Sequence, residues 1–157
     1  MKSIVPCLWF DANAEEAATF YVSLLPKSRI DAVHRAPADY PSGKAGAVLT
    51  VEFTLLGRPF LGLNGGPRFT FNEALSFQIP VETQAEVDRL SDALSAVPAA
   101  EQCGWVKDRF GLSWQIVPVQ LVQLICDPDP SRAKRVFTAM MDMKRIDIAV
   151  ILAAAEA

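Results

Sequence analysis

The chain has 157 residues, 51% of them apolar and 21% charged, an ordinary balance for one globular domain with a sizeable core, and one that excludes a disordered chain. A net charge of −3 from 15 basic and 18 acidic side chains, with no clustered basic stretch, argues against nucleic acid as a partner. The opening Met1–Pro6 lacks the apolar run of a secretion signal, and Ile148–Ala155 is far short of the roughly 20 residues a membrane span needs, so a cytoplasmic protein with no membrane partner is expected.

Ile4 to Phe10 is a β-rich apolar run. Asn13 then stands where a helix N-cap belongs, and Glu16 completes a capping box. Ala14, Ala17, Ala18, Tyr21 and Leu25 fall on one helical face, and Pro26 stops the helix. Arg29–Arg35 reads as a short strand and Pro37–Lys44 as a polar loop. Val48–Leu55 alternates: Leu49, Val51, Phe53 and Leu55 are expected to face a core, and Thr50, Glu52 and Thr54 the other side. Gly57 marks a hairpin turn, Pro59–Asn64 is the return strand, and Gly65, Gly66 and Pro67 break the chain.

The order then repeats. Leu75–Val81 is a strand with Phe77, Ile79 and Val81 on one face and Ser76, Gln78 and Pro80 on the other. Thr83 and Glu86 form a capping box 70 residues after the first, and Val87, Leu90 and Leu94 make the helix's buried stripe. Gln102–Lys107 is the next strand, Asp108–Gly111 the turn and Leu112–Pro118 the return. A duplicated strand–helix–strands unit is the economical reading, against two unrelated pieces of one α+β sheet. Modules of about 4–66 and 75–118 and a helical tail of about 120–157 make one domain. In the tail Asp129 caps a helix with Pro130 at its first position. Ala133, Val136, Phe137, Met140 and Met141 form its stripe, read as core or, alternatively, as a subunit contact, and Asp147 caps a last helix.

Three widely spaced cysteines, Cys7, Cys103 and Cys126, suggest reduced thiols rather than a disulfide frame or metal clip; Cys7 and Cys103 read as small buried hydrophobes. The single histidine, His34, reads as an ordinary strand or surface residue. Glu52 stands mid-strand opposite the core face, where a carboxylate orients a ligand or serves as a general base, or is simply solvated or at a dimer contact. Gln78, Ser113 and Gln115 share that polar face by strand parity, and Phe10, Leu63 and Trp105 would supply the apolar part of a small-molecule site. Trp105 reads equally well as packing under the sheet. Lys107-Asp108-Arg109 reads as no more than a charged turn.

The runs Pro6-Cys7-Leu8-Trp9-Phe10-Asp11, Asn13-Ala14-Glu15-Glu16-Ala17-Ala18 and Phe20-Tyr21, with Glu52-Phe53, Phe60-Leu61, Leu63-Asn64-Gly65-Gly66, Gly104-Trp105, Asp108-Arg109-Phe110-Gly111 and Trp114-Gln115-Ile116-Val117-Pro118, resemble the PhnB-like proteins. These carry the name 3-demethylubiquinone-9 3-methyltransferase and belong to the vicinal-oxygen-chelate (glyoxalase/bleomycin-resistance/dioxygenase) superfamily. The resemblance spans about residues 4–146. It implies an α+β fold of two βαβββ modules whose curved sheets line a cavity, usually in a homodimer, with His and Glu metal ligands on the first and last strands of each module. The matching positions here hold Pro6, Leu61, Ser76 and Gln115, so no metal or other cofactor is expected. The methyltransferase name asks for a glycine-rich turn into a helix, whereas Leu61-Gly62-Leu63-Asn64-Gly65-Gly66 leads to Pro67 and a loop. Three functions follow as alternatives: a metal-free protein binding a small molecule, an enzyme of the superfamily (lyase, isomerase or dioxygenase type, or the methyltransferase of the name) using Glu52, or a dimeric interaction protein.

Overall fold

The computed structural model describes residues 4–157; Met1, Lys2 and Ser3, part of the opening read for a secretion signal, lie outside the described residues. The fold is α+β, with mixed sheets backed by helices, and its contacts divide into two compact units, one ending at Phe71 and the other running from Asn72 to Ala157.

The first unit is a complete strand–helix–three-strand module. Strands β1 (Cys7–Phe10), β2 (Arg29–Arg35), β3 (Val48–Leu55) and β4 (Arg58–Asn64) lie in the order β1-β4-β3-β2, behind helix α1 (Ala14–Leu24). β1 runs parallel to β4, and the β4–β3 and β3–β2 pairs are antiparallel. Ala14, Ala17, Ala18 and Tyr21 of α1 are buried, as are Val51, Phe53 and Leu55 of β3. Period-3.6 and period-2 faces therefore close on each other, each fully buried large side chain contributing roughly 2 kcal/mol. The β3–β4 turn has positive φ at both central residues, Leu56 (49°) and Gly57 (80°), the arrangement that matches the twist of a two-residue hairpin.

Three expectations for this unit are corrected. Asn13 occupies the N-cap position of α1 but makes no side-chain cap bond; the Asn64 carboxamide at the end of β4 caps it instead, accepting from Ala14 N at 2.9 Å and donating to Val48 O at 2.9 Å. Thr54 is buried although its parity points away from the core, because its hydroxyl donates to Asp31 at 2.6 Å. Cys7 is exposed rather than buried, since Leu8 and Phe10 take the covered face of β1.

In the second unit β5 (Ser76–Val81), β6 (Trp105–Lys107) and β7 (Ser113–Pro118) lie in the order β5-β7-β6, with β5 parallel and β6 antiparallel to β7, behind α2 (Gln84–Leu94). The Thr83–Glu86 capping box forms in full, and Val87, Leu90 and Leu94 are buried as the stripe predicts, with α2 packed on β7 and β6. Between α2 and β6 the chain makes a single 3-10 turn, Pro98–Ala100, so this sheet has three strands. The strand expected from Gln102 begins only at Trp105. Residues 102–105 are themselves a tight turn, with Cys103 at φ 50° and Gly104 at φ 84° and backbone bonds between Gln102 and Trp105. A Cβ on Gly104 would lie 2.8 Å from Ile116 O. Cys103 is therefore half-exposed on a turn, not a core residue.

The tail forms three helices, α3 (Val119–Ile125), α4 (Pro130–Met141) and α5 (Ile148–Glu156). The sequence reading places α3 inside the helical tail of about 120–157 without marking it as a separate helix, since its apolar run lacks a cap signal. Leu121, Leu124, Val136, Ile146, Ile151 and Ala155 make a separate small core. Only part of the α4 stripe enters it, for Phe137 and Met141 are exposed. Gln84 of α2 holds the tail through both amide ends, donating to Ile146 O and accepting from Ile148 N. Arg145 pairs with Asp88 and Asp92 on the same helix. Among the described residues no helix is long and apolar enough to cross a membrane.

Candidate ligand-binding site

Each sheet has one face covered by its helix and one that the helix leaves open. In the first unit strand pairing puts Cys7, Trp9, Leu61, Leu63, Thr50 and Glu52 on the open face. Glu52 lies opposite Leu61 on one side and Ala32 on the other. The β2–β3 register brings His34 diagonally to it, with Nε2 3.0 Å from Glu52 Oε1 and both side chains about half-exposed. Beside them is a recess of about 390 Å³ lined by Val5, Asp31, Glu52, Pro59 and Leu61 among others. Two carboxylates on an apolar floor suit a hydrogen-bond donor or a cation. Leu63 is half-buried on this face, beside Trp9, whose indole N–H donates to Gly66 O at 2.7 Å and whose ring meets Phe69 edge-on. Phe10 lies on the other side: it is buried beside Gly62 and Ala14 and meets Phe71 edge-on, so it belongs to the core.

In the second unit Ser76, Gln78, Trp105, Ser113 and Gln115 share the open face, as their parity requires. Gln115 Nε2 donates to Ser76 Oγ at 2.7 Å, and Gln78 Nε2 donates to Gln115 Oε1 at 3.1 Å. Trp105 is half-buried and directly opposite Gln115, while Ser113 is fully buried. A recess of about 410 Å³ opens where Gln78, Pro80 and Val117 meet Val119, Val122 and Gln123 of α3.

The charged turn after β6 is more than a turn. Asp108 is 1% exposed, and its carboxylate accepts from Phe110 N (2.8 Å), Leu112 N (3.0 Å) and Trp114 Nε1 (2.8 Å), fixing the β6–β7 turn beneath the open face. Lys107, on that face, pairs with Glu73, whose carboxyl is held below its usual range chiefly by that hydrogen bond.

The superfamily's metal does not fit these residues. Pro6 and Leu61 meet only through a backbone bond of 3.0 Å, and Ser76 and Gln115 satisfy each other. Among the described residues no three His, Cys, Asp or Glu side chains converge for an ion, and a transition metal needs such donors. The glycine-rich turn into a helix that a methyltransferase would use to bind S-adenosylmethionine is not formed either: β4 ends at Asn64, and residues 65–75 continue as loop, not helix. Sequence reasoning missed the His34–Glu52 pair, for which the antiparallel β2–β3 order was the available signal, and it missed Val119, Val122 and Gln123, for which there was none.

Helix-backed mixed sheets with open faces, the first strand of each parallel to the last, are the α+β arrangement that the resemblance implies. The sequence profile of the 3-demethylubiquinone-9 3-methyltransferase family matches residues 2–117, and the chain belongs to that PhnB-like family. The chain is similar to the PhnB protein of Bacillus cereus, which bears the same methyltransferase name, at 32% identity and a TM-score of 0.63, over 75% of this chain and 100% of that one. A Pseudomonas aeruginosa protein shares the fold at 20% identity and a TM-score of 0.57, over 75% of this chain and 98% of the other. No match was found among curated proteins.

Proposed function

We propose that this chain is a metal-independent binding protein for a small organic molecule, held on the open face of the second sheet. The observation that carries the reading is the neutral chain Ser76–Gln115–Gln78, which stands where the family resemblance implies half of a metal site. Two amides and a hydroxyl that fix one another present oriented donors and acceptors without a strong charge, and Trp105 beside them adds apolar surface. Such a mixture of apolar wall and few fixed polar groups is what small-molecule sites use. Native mass spectrometry of the gently purified protein is expected to show a bound organic molecule, and Gln115→Ala is expected to lose it. A chain that emerges empty, and that no compound of a fragment set stabilises, would end the reading.

A second reading, an enzyme of the superfamily with Glu52 as general base, draws on the His34 contact and the recess beside it. It expects deuterium exchange from D2O into a bound carbonyl compound by the native chain and not by Glu52→Gln. We propose a homodimer in either case, the commonest symmetric assembly; a monomer by sedimentation equilibrium at tens of micromolar counts against it.

A further inference from the structure

The tail gives the second sheet a wall that lies beyond the family match. That match ends at residue 117, whereas α3 begins at Val119 and supplies Val119, Val122 and Gln123 to the recess shared with Gln78, Pro80 and Val117. We propose that this recess binds an uncharged, largely apolar small molecule carrying one amide-like or phenol-like group, and that α3 sets the preference. The inference rests on the reading that the open face of the second sheet takes a ligand, and it names the ligand's chemistry.

Size, charge and polarity each support it. A volume of about 410 Å³ falls within the roughly 300–1,000 Å³ of small-molecule sites. None of these six lining side chains is ionisable, so a charged ligand would shed water without gaining a counter-charge. The Ser76–Gln115–Gln78 chain uses the Gln78 amide as donor to Gln115, which leaves Gln78 Oε1 as an oriented acceptor on a side chain that lines the recess. Gln123, on the opposite wall, offers a second amide. A carboxamide or phenol meets both; a carboxylate meets the Gln78 oxygen with repulsion. The first unit's recess, with Asp31 and Glu52, has the opposite character.

The test uses three probes of one shape: benzamide (neutral), benzoate (anionic) and benzamidine (cationic), titrated into the full 15N-labelled chain and followed by NMR. Benzamide is expected to shift the side-chain amides of Gln78 and Gln123, and both ions to bind there at least about tenfold more weakly. Val122 is 47% exposed, so Val122→Asp leaves the core intact; it is expected to weaken benzamide and to favour benzamidine, while Gln123→Leu weakens benzamide alone. Ions that bind at Gln78 as tightly as benzamide overturn the proposal. Benzamide binding near Ser76 and Gln115 that Val122→Asp leaves unchanged overturns the role of α3 but spares the proposed function. No binding of any probe on the second sheet overturns both.

Discussion

Three N–H groups converge on the buried Asp108 carboxylate, two from the turn's backbone and one from the Trp114 indole. Removing the carboxylate strands all three donors, and hydrogen bonds to a charged acceptor are the costly ones to lose. Asp108→Ala is therefore expected to destabilise the chain by about 3 kcal/mol, read as a lower urea midpoint with an unchanged slope. Sequence alone gave Asp108 a turn position and no more, because burial of a charged side chain depends on what folds over it. Asn64 teaches the same lesson. Its sequence neighbours announce the end of a strand, yet it caps a helix 50 positions away, and the nearby Asn13 was the better-placed candidate by local rules alone. By contrast, Gln78, Ser113 and Gln115 were legible as a set, since strand parity needs only that the strands form.

At the scale of elements, signals that are local in sequence survived intact. The Thr83–Glu86 box is one: Glu86 accepts from the backbone N–H groups of Glu82 and Thr83, and those bonds hold its carboxyl below its ordinary range. A folded carboxyl that is harder to protonate than the unfolded one stabilises the fold above the unfolded value, about pH 4. That stabilisation is lost as pH falls through the depressed one. The difference in urea midpoint between the native chain and Glu86→Ala is thus expected to be constant from pH 8 to 5 and to shrink as the pH falls below the unfolded value; a difference that grows on acidification would refute the linkage. Elements without a local signal have no legible bounds. Helix α3 has neither a side-chain cap nor charges and is held by packing of Leu121 and Leu124 into the tail's core. The expected strand from Gln102 gave way to a turn because Gly104, at positive φ, passes close to Ile116 O, a tertiary requirement that no periodicity displays.

For the molecule as a whole, the strand–helix–strands succession of each unit is readable because similar apolar periods occur twice, although the second sheet has three strands to the first sheet's four. Its chemistry did not duplicate: the first open face carries Asp31, Glu52 and His34, the second amides and a hydroxyl. This difference bears on metal dependence. Zinc or nickel requires three or four imidazole, thiolate or carboxylate donors in one place, and the four inherited positions supply a proline, a leucine, a serine and a glutamine. The nearest strong donors, Glu52 and His34, already face each other at 3.0 Å, and among the described residues neither Asp31 nor any other His, Cys, Asp or Glu converges with them into a set of three. Elemental analysis of the chain purified without chelator is therefore expected to give well under one metal per chain, and added EDTA to leave the thermal midpoint unmoved. A stoichiometric metal that disappears in Glu52→Gln would overturn this and would shift the balance from binding protein to enzyme, because an ion on that face would bring Lewis-acid chemistry to a carboxylate–imidazole pair.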